Sequence, residues 1–258
     1  MIAKMYAEDK DPDGAKKIYG KIIQLDKKNE PKWAGDSAGV YRDCEKPEQA
    51  VEIYTYIASI DQENKVKWFG EVGDTWKKAE KYEKAVQTYT YIASIDQENK
   101  GKWFQKIAET WQGVGEYKKA IGSWRKVIAS TGEANHYKTI GYCYEKLKDI
   151  PKAIQSYRLS DDFPWAYFKM GDLHRDHKQW KEALVLYNQA RSHGDSNAQN
   201  ALWRIGDTYE RSSRREQAIR SYQSICKLYP KSDIASRAHA HLQNKYKINI
   251  TLGGAKEE

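Results

Sequence analysis

Cysteine is nearly absent from this chain, and Cys44, Cys143 and Cys226 stand far apart with no Cys-x-x-Cys or Cys/His pairing. An odd, scattered set argues against a disulfide framework and a structural zinc site, and predicts small buried thiols in a reducing compartment. No apolar stretch approaches the length of a membrane span. The opening residues, MIAKMYAEDKDPDG, lack the apolar core of a signal peptide. A cytoplasmic protein is therefore expected, with a periplasmic one as the alternative if a signal peptide had been removed. Motifs of chemistry are missing too: there is no Gly-rich phosphate loop, no nucleophile elbow and no HExxH. Neither catalysis nor a cofactor or metal is expected.

Charge and aromatic rings are abundant instead. Charged residues make up 31% of the 258 positions, and the mean hydropathy is −0.91, values that alone lean towards disorder. Yet the chain carries 9 Trp and 19 Tyr, which a disordered chain has no use for. A thin fold that exposes much polar surface and buries rings in narrow layers between helices reconciles the two. The net charge of +8 arises from 44 basic and 36 acidic residues, interleaved as on solvated helix faces rather than gathered into a nucleic-acid-binding patch.

Self-comparison shows why. YTYIASIDQENK, from Tyr54 to Lys65, recurs unchanged from Tyr89 to Lys100, an offset of 35, and each copy is followed by one variable residue and Lys-Trp-Phe. Weaker copies follow from an alanine with an aromatic four places on: Ala15/Tyr19, Ala50/Tyr54, Ala85/Tyr89, Ala120/Trp124, Ala153/Tyr157, Ala183/Tyr187 and Ala218/Tyr222. Twelve places before each alanine lies a small residue: Ala3, Ala38, Gly73, Ala108, Gly141, Gly171 and Gly206. Nine before it lies a ring: Tyr6, Tyr41, Trp76, Trp111, Tyr144, His174 and Tyr209. Small residues on two antiparallel helices allow close approach, and rings one turn away fill the space beside that contact. Turn segments such as Cys44-Glu45-Lys46-Pro47 and Gly113-Val114-Gly115 separate the helices, and Pro47 and Pro151 fall where a second helix starts.

The order small–aromatic–turn–Ala–aromatic resembles the tetratricopeptide repeat. LWRIGDTYERSSRREQAIRSYQSICKLYP, with Pro230 twelve places after Ala218, is the nearest copy. The resemblance implies an all-α, right-handed superhelical solenoid of antiparallel helix pairs, about seven repeats plus a C-terminal capping helix. The expected layout is a single solenoid over 1–247, with repeats near 1–29, 30–64, 65–99, 100–132, 133–162, 163–196 and 197–231, a capping helix over 232–247 and a flexible tail over 248–258. The short unit ending near Ser160 predicts a shortened second helix. Met1 falls within the first helix of the first unit, so that hairpin is expected to be incomplete. The closing CKLYPKSDIASRAHAHL also resembles repeat proteins of bacterial cell envelopes, and a bacterial source is expected.

In the family the first helix of each pair lines the concave groove. Carried onto this chain, the residue after each small position faces it: Gly39, Asp74, Glu109, Tyr142, Asp172 and Asp207. Two places before come Asp36, Glu71, Lys106, Thr139, Lys169 and Arg204, and four after come Arg42, Lys77, Gln112, Glu145, Arg175 and Glu210. The expected site is a groove of mixed sign that reads a partner segment carrying both charges; the competing account is salt bridging between neighbouring repeats. The lysine–asparagine clamp for acidic chaperone tails is absent, since its places hold Gly35 and Gly39, Gly70 and Asp74, and Gln105 and Glu109.

The expected function is a non-catalytic scaffold for a protein or peptide partner. A regulatory or recognition segment of a larger enzyme complex is the second reading. Single-stranded RNA binding is the third, suggested by the period of 35 and a pI of 9.1 but opposed by the acids in the groove. Trp68-Phe69 and Trp103-Phe104, which could stack on bases, open first helices and read better as core. The pair His174 and His177 could be drawn as a metal site, but His174 takes the place of a packing ring.

Overall fold

The computed structural model describes residues 5, 6 and 8–253; the expectations resting on Met1 and Ala3 and on residues 254–258 lie outside them. Among the described residues there are no strands, and no helix is long and apolar enough to cross a membrane. Fourteen α-helices of the described residues fall into two compact units, 1–133 and 134–258.

The N-terminal unit holds α1 (Pro12–Leu25), α2 (Glu30–Asp43), α3 (Pro47–Ile60), α4 (Lys65–Lys78), α5 (Tyr82–Ile95), α6 (Lys100–Gly113) and α7 (Tyr117–Thr131). The C-terminal unit holds α8 (Tyr137–Lys146), α9 (Ile150–Leu159), α10 (Trp165–Asp176), α11 (Trp180–Arg191), α12 (Asp195–Arg211), α13 (Arg215–Leu228) and α14 (Asp233–His241). Within each unit every helix packs on the next. This is an all-α helical repeat, with the first helices of the pairs at α2, α4 and α6 and again at α8, α10 and α12. The short repeat has its shortened second helix, since α9 runs 10 residues where α3 and α5 run 14.

Helix boundaries follow local chemistry. Pro47 opens α3, and Pro151 lies in the first turn of α9, where Asp149 accepts from Lys152 N at 3.3 Å. Every first helix of a complete pair ends in a residue of left-handed backbone at one place in the turn: Glu45, Glu80, Gly115, Lys148, Lys178 and Ser213. Only one of the six is glycine, so composition does not reveal the turn. Three of the four second helices of the N-terminal unit end on an aspartate, Asp26, Asp61 or Asp96, and the fourth, α7, ends on Gly132. Each carboxylate accepts from an indole seven residues on: Trp33 Nε1 at 3.0 Å, Trp68 Nε1 at 2.8 Å and Trp103 Nε1 at 2.7 Å. It also accepts from the amide of Asn29, Asn64 or Asn99. The indole N–H, the largest influence, holds the Asp26 and Asp61 carboxyls below the ordinary range.

The seven alanines of the motif are fully buried. The small position one helix earlier receives the flat ring of the motif tyrosine. A Cβ added at Gly141, Gly171 or Gly206 would lie 2.5–2.7 Å from the ring of Tyr157, Tyr187 or Tyr222. At the C-terminus, Glu210 accepts from His241 Nε2 at 2.7 Å, Lys245 Nζ at 2.7 Å and Tyr246 OH at 2.5 Å, which ties α14 and the following π-turn Leu242–Tyr246 to α12. The expected tail is not loose where it is described. Ile248 and Ile250 pack on the last core cluster, and Gly253 N–H donates to the Cys226 carbonyl at 3.1 Å. Burial of those two isoleucines is the physical reason.

Candidate partner-binding face

The first-helix residues singled out by the repeat register are brought together, and most are already paired. In the N-terminal unit Arg42 Nη1 lies 2.7 Å from Glu71, and Lys106 Nζ lies 2.7 Å from Asp74. In the C-terminal unit Lys169 Nζ lies 3.2 Å from Glu145, and Arg204 Nη1 pairs with Asp172. One rule generates all four. The residue two places before the small position reaches back to the residue one or four places after it in the preceding repeat. The sign of the pair is free to invert, as it does between Arg42–Glu71 and Asp74–Lys106. Arg175 adds a lateral link, with Nη1 3.1 Å from Asp172 and 3.4 Å from Asp207, and Asp207 also meets Arg211 Nε at 2.9 Å.

These carboxylates have a second duty that sequence reasoning missed. Tyr89 OH donates to Asp74 at 2.5 Å, Tyr187 OH to Asp172 at 2.8 Å, and Tyr157 OH to Glu145. A buried tyrosine of the second helix thus passes its ring over the small position and delivers its hydroxyl to the first-helix acid. The constant spacing between acid and tyrosine was the available signal: both Asp74/Tyr89 and Asp172/Tyr187 are 15 apart.

Several of these positions depart from the ladder. The Lys77 side chain is exposed and makes no hydrogen bond or ion pair among the described residues. Glu109 is exposed and accepts from Gln105 Nε2 at 2.8 Å. Tyr142 is 41% exposed beside Lys146. The face also opens into cavities in the N-terminal unit. One of about 940 Å³ includes Gly35, Gly39, Tyr54 and Trp68 in its wall, and one of about 360 Å³ includes the equivalent Gly70, Asp74 and Trp103.

Exchanging the charges of Lys106 and Asp74 tests the ladder. Each single reversal is expected to lower stability by about 1 kcal/mol, because both side chains are partly exposed and the pair is screened. The double exchange is expected to recover about half of the summed loss by restoring attraction, while Tyr89 stays without its acceptor. Urea denaturation of the four chains measures it; additive losses would show that the pair is not coupled.

The rings and imidazoles weighed from sequence are accounted for. Trp68 and Trp103 are only 7% and 6% exposed, with their N–H groups on Asp61 and Asp96, and so offer no stacking platform. His174 Nδ1 faces Gln179 Oε1 at 2.7 Å and His177 Nδ1 faces the Leu173 carbonyl at 2.8 Å. Among the described residues no three His, Cys, Asp or Glu side chains are placed to hold a metal ion.

Residues 200–232 match the family model described as "Tetratricopeptide repeat". Among solved structures, the C-terminal part of a TPR repeat-containing protein from Cytophaga hutchinsonii is similar over 92% of this chain and 97% of its own. The identity is 17% and the TM-score 0.56. Naa15/Naa10 bound to HypK-THB is similar over 96% of this chain and 38% of that one, at 13% identity and a TM-score of 0.57. The apo form of RapI is similar over 88% of this chain and 81% of that one, at 13% identity and a TM-score of 0.50. At these identities the likeness establishes the fold alone. No curated protein matches the sequence.

Proposed function

We propose that this chain, whose residues 200–232 match the tetratricopeptide repeat and whose fold is that of such repeat proteins, acts as a non-catalytic interaction scaffold that binds a peptide or protein segment on its first-helix face. The repeat fold generally serves as a scaffold without chemistry of its own. The observation that carries the reading is where the cavities lie. Those of about 940 and 360 Å³ both open among first-helix residues, where successive repeats differ most. The second helices of the two near-identical repeats share ten of fourteen residues, whereas their first helices share six.

The ladder decides which residues meet a partner. Asp74, Lys106, Asp172, Arg175, Arg204, Glu71, Arg42 and Lys169 spend most of their charge on one another, so their role is to set the floor of the face. Asp207 is engaged by Arg175 and Arg211. In the N-terminal unit Lys77 and Glu109 project from that floor and are assigned the contacts.

A photoreactive side chain placed at Lys77 or Glu109 is expected to give discrete protein adducts in extracts of the native cell. The same group at Glu52 or Val185, exposed positions on second helices, is expected to give none. Adducts arising equally from both sets, or from the second-helix set alone, would refute the assignment of the face.

A further inference from the structure

Two of the cavities in the N-terminal unit are copies of one place, and they differ at the position of one carboxylate. In the smaller copy Asp74 lines the space, accepting from Tyr89 OH at 2.5 Å and from Lys106 Nζ at 2.7 Å. In the larger copy the equivalent of Asp74 is Gly39, which brings no carboxylate. Tyr54, the counterpart of Tyr89, is 3% exposed, and its hydroxyl reaches the cavity without a hydrogen-bond partner among the described residues. Tyr157 and Tyr187 have their carboxylates in Glu145 and Asp172. Tyr222, which also lacks one, is covered by the His241 ring at 4.8 Å. Tyr54 alone of this set faces open space with its donor not engaged by a protein acceptor, so an incoming acceptor can take it.

Charge decides which acceptor. Of the acids lining the cavity, Asp43 is held by Lys78 and Arg42, Asp61 by Trp68 and Asn64, and Glu71 by Arg42. The ammonium groups of Lys32 and Lys67 lie 4.4 Å over the rings of Trp33 and Trp68 and have no ion pair among the described residues. An entering anion therefore finds cations without an ion pair and a hydroxyl without a protein acceptor. Asp36, exposed at the rim and also without an ion pair among the described residues, disfavours a run of acids and suits a basic neighbour.

We propose that this cavity seats the carboxylate of one aspartate or glutamate side chain of a mixed-charge partner peptide, with Tyr54 donating to it as Tyr89 donates to Asp74. The proposal rests on the reading of the first-helix face as the binding face. It names what the duplicated repeat leaves out and the partner supplies.

Gly39→Asp is the decisive variant. A Cβ at Gly39 meets only the Tyr54 hydroxyl, at 3.7 Å, whereas one at Gly35 would strike Trp68 at 2.9 Å. The chain's own carboxylate would then occupy the seat without strain. Peptides are selected from a random library on the immobilised full chain, and a synthetic representative is titrated by fluorescence anisotropy. Its Asp→Asn or Glu→Gln counterpart is expected to bind about tenfold more weakly, the loss of a charge-assisted hydrogen bond. Gly39→Asp is expected to lose the peptide to a similar degree with its Tm unchanged or raised. Tyr54→Phe is expected to weaken binding severalfold, and it decides the matter should Gly39→Asp lower the Tm. Peptides that tolerate loss of the acid, or that bind Gly39→Asp or, where it decides, Tyr54→Phe unchanged, overturn the carboxylate seat and leave the binding face standing. Recovery of no peptide overturns the face itself, and the seat with it.

Discussion

Valine in place of Gly171 lowers the stability of the C-terminal unit by about 3 kcal/mol, and alanine in place of Tyr187 lowers it by about 3–5 kcal/mol. The two side chains occupy one contact from opposite sides. Tyr187 is fully buried, and its ring lies where a Cβ on Gly171 would have to stand, at 2.5 Å. Valine adds a branched side chain there, and α10 and α11 must separate, carrying with them the Ala183 contact and the Tyr187–Asp172 hydrogen bond. Alanine at Tyr187 leaves a ring-sized void floored by a glycine, which has nothing to fill it. Combining the two should cost less than the sum, because valine then enters the space the ring has left. Chemical denaturation monitored by far-UV ellipticity measures all three chains. A Gly171→Val loss below that of an ordinary surface change would mean that the ring is not pressed on the glycine.

That contact was legible in the sequence, though for an incomplete reason. Small residues at Gly171 and Ala183, twelve apart, marked a close helix–helix approach, and the ring at Tyr187 was placed beside it. The structure puts the ring on the glycine itself at Gly73, Gly141, Gly171 and Gly206. The turn after each first helix was legible only as a break. Its left-handed residue is Glu, Lys or Ser in five of six copies, residues that usually avoid that conformation. The hydrogen bonds to Tyr41 and Tyr246 also escaped notice, because they run between repeats rather than within them.

Two accounts of the groove charges were open from sequence, a mixed-sign surface for a partner and salt bridging between neighbouring repeats, and most of the charges do pair between repeats. Read as columns alone, Asp74, Glu109, Asp172 and Asp207 are simply acidic. The ladder neutralises most of it from within, because Lys106 and Arg204 stand one repeat on and reach back. Column reading treats repeats as independent, whereas the side chains are long enough to cross from one to the next. The change from Glu71 to Lys106 is compensated by the change from Arg42 to Asp74 as acceptor and donor trade places. The informative position is one that nothing compensates, Gly39.

Alkaline unfolding of the C-terminal unit is expected to be abrupt, complete within about two pH units above pH 10. Tyr157, Tyr187 and Tyr222 are buried, and burial, the largest influence, raises each phenol far above its ordinary value. Carboxylates nearby push in the same direction, Glu145 on Tyr157, Asp172 on Tyr187 and Glu210 on Tyr222. The neutral phenol is therefore favoured in the fold, while in the unfolded chain it titrates near about 10. Stability from this difference is fully present below that value and is lost as pH rises towards the folded one. Each tyrosine removes roughly 1.4 kcal/mol per pH unit in that window, so the three together remove roughly 4 kcal/mol per unit. Tyrosinate absorbance and far-UV ellipticity are expected to change together, since the hydroxyls reach hydroxide only when the helices part. Tyr187→Phe separates the terms: it costs about 1 kcal/mol at neutral pH by removing the bond to Asp172, yet it moves the alkaline midpoint upward. Smooth ionisation of all tyrosines near pH 10 with the helices intact would place those hydroxyls in water, and the acid–tyrosine pairs that build the first-helix face would be lost with that result.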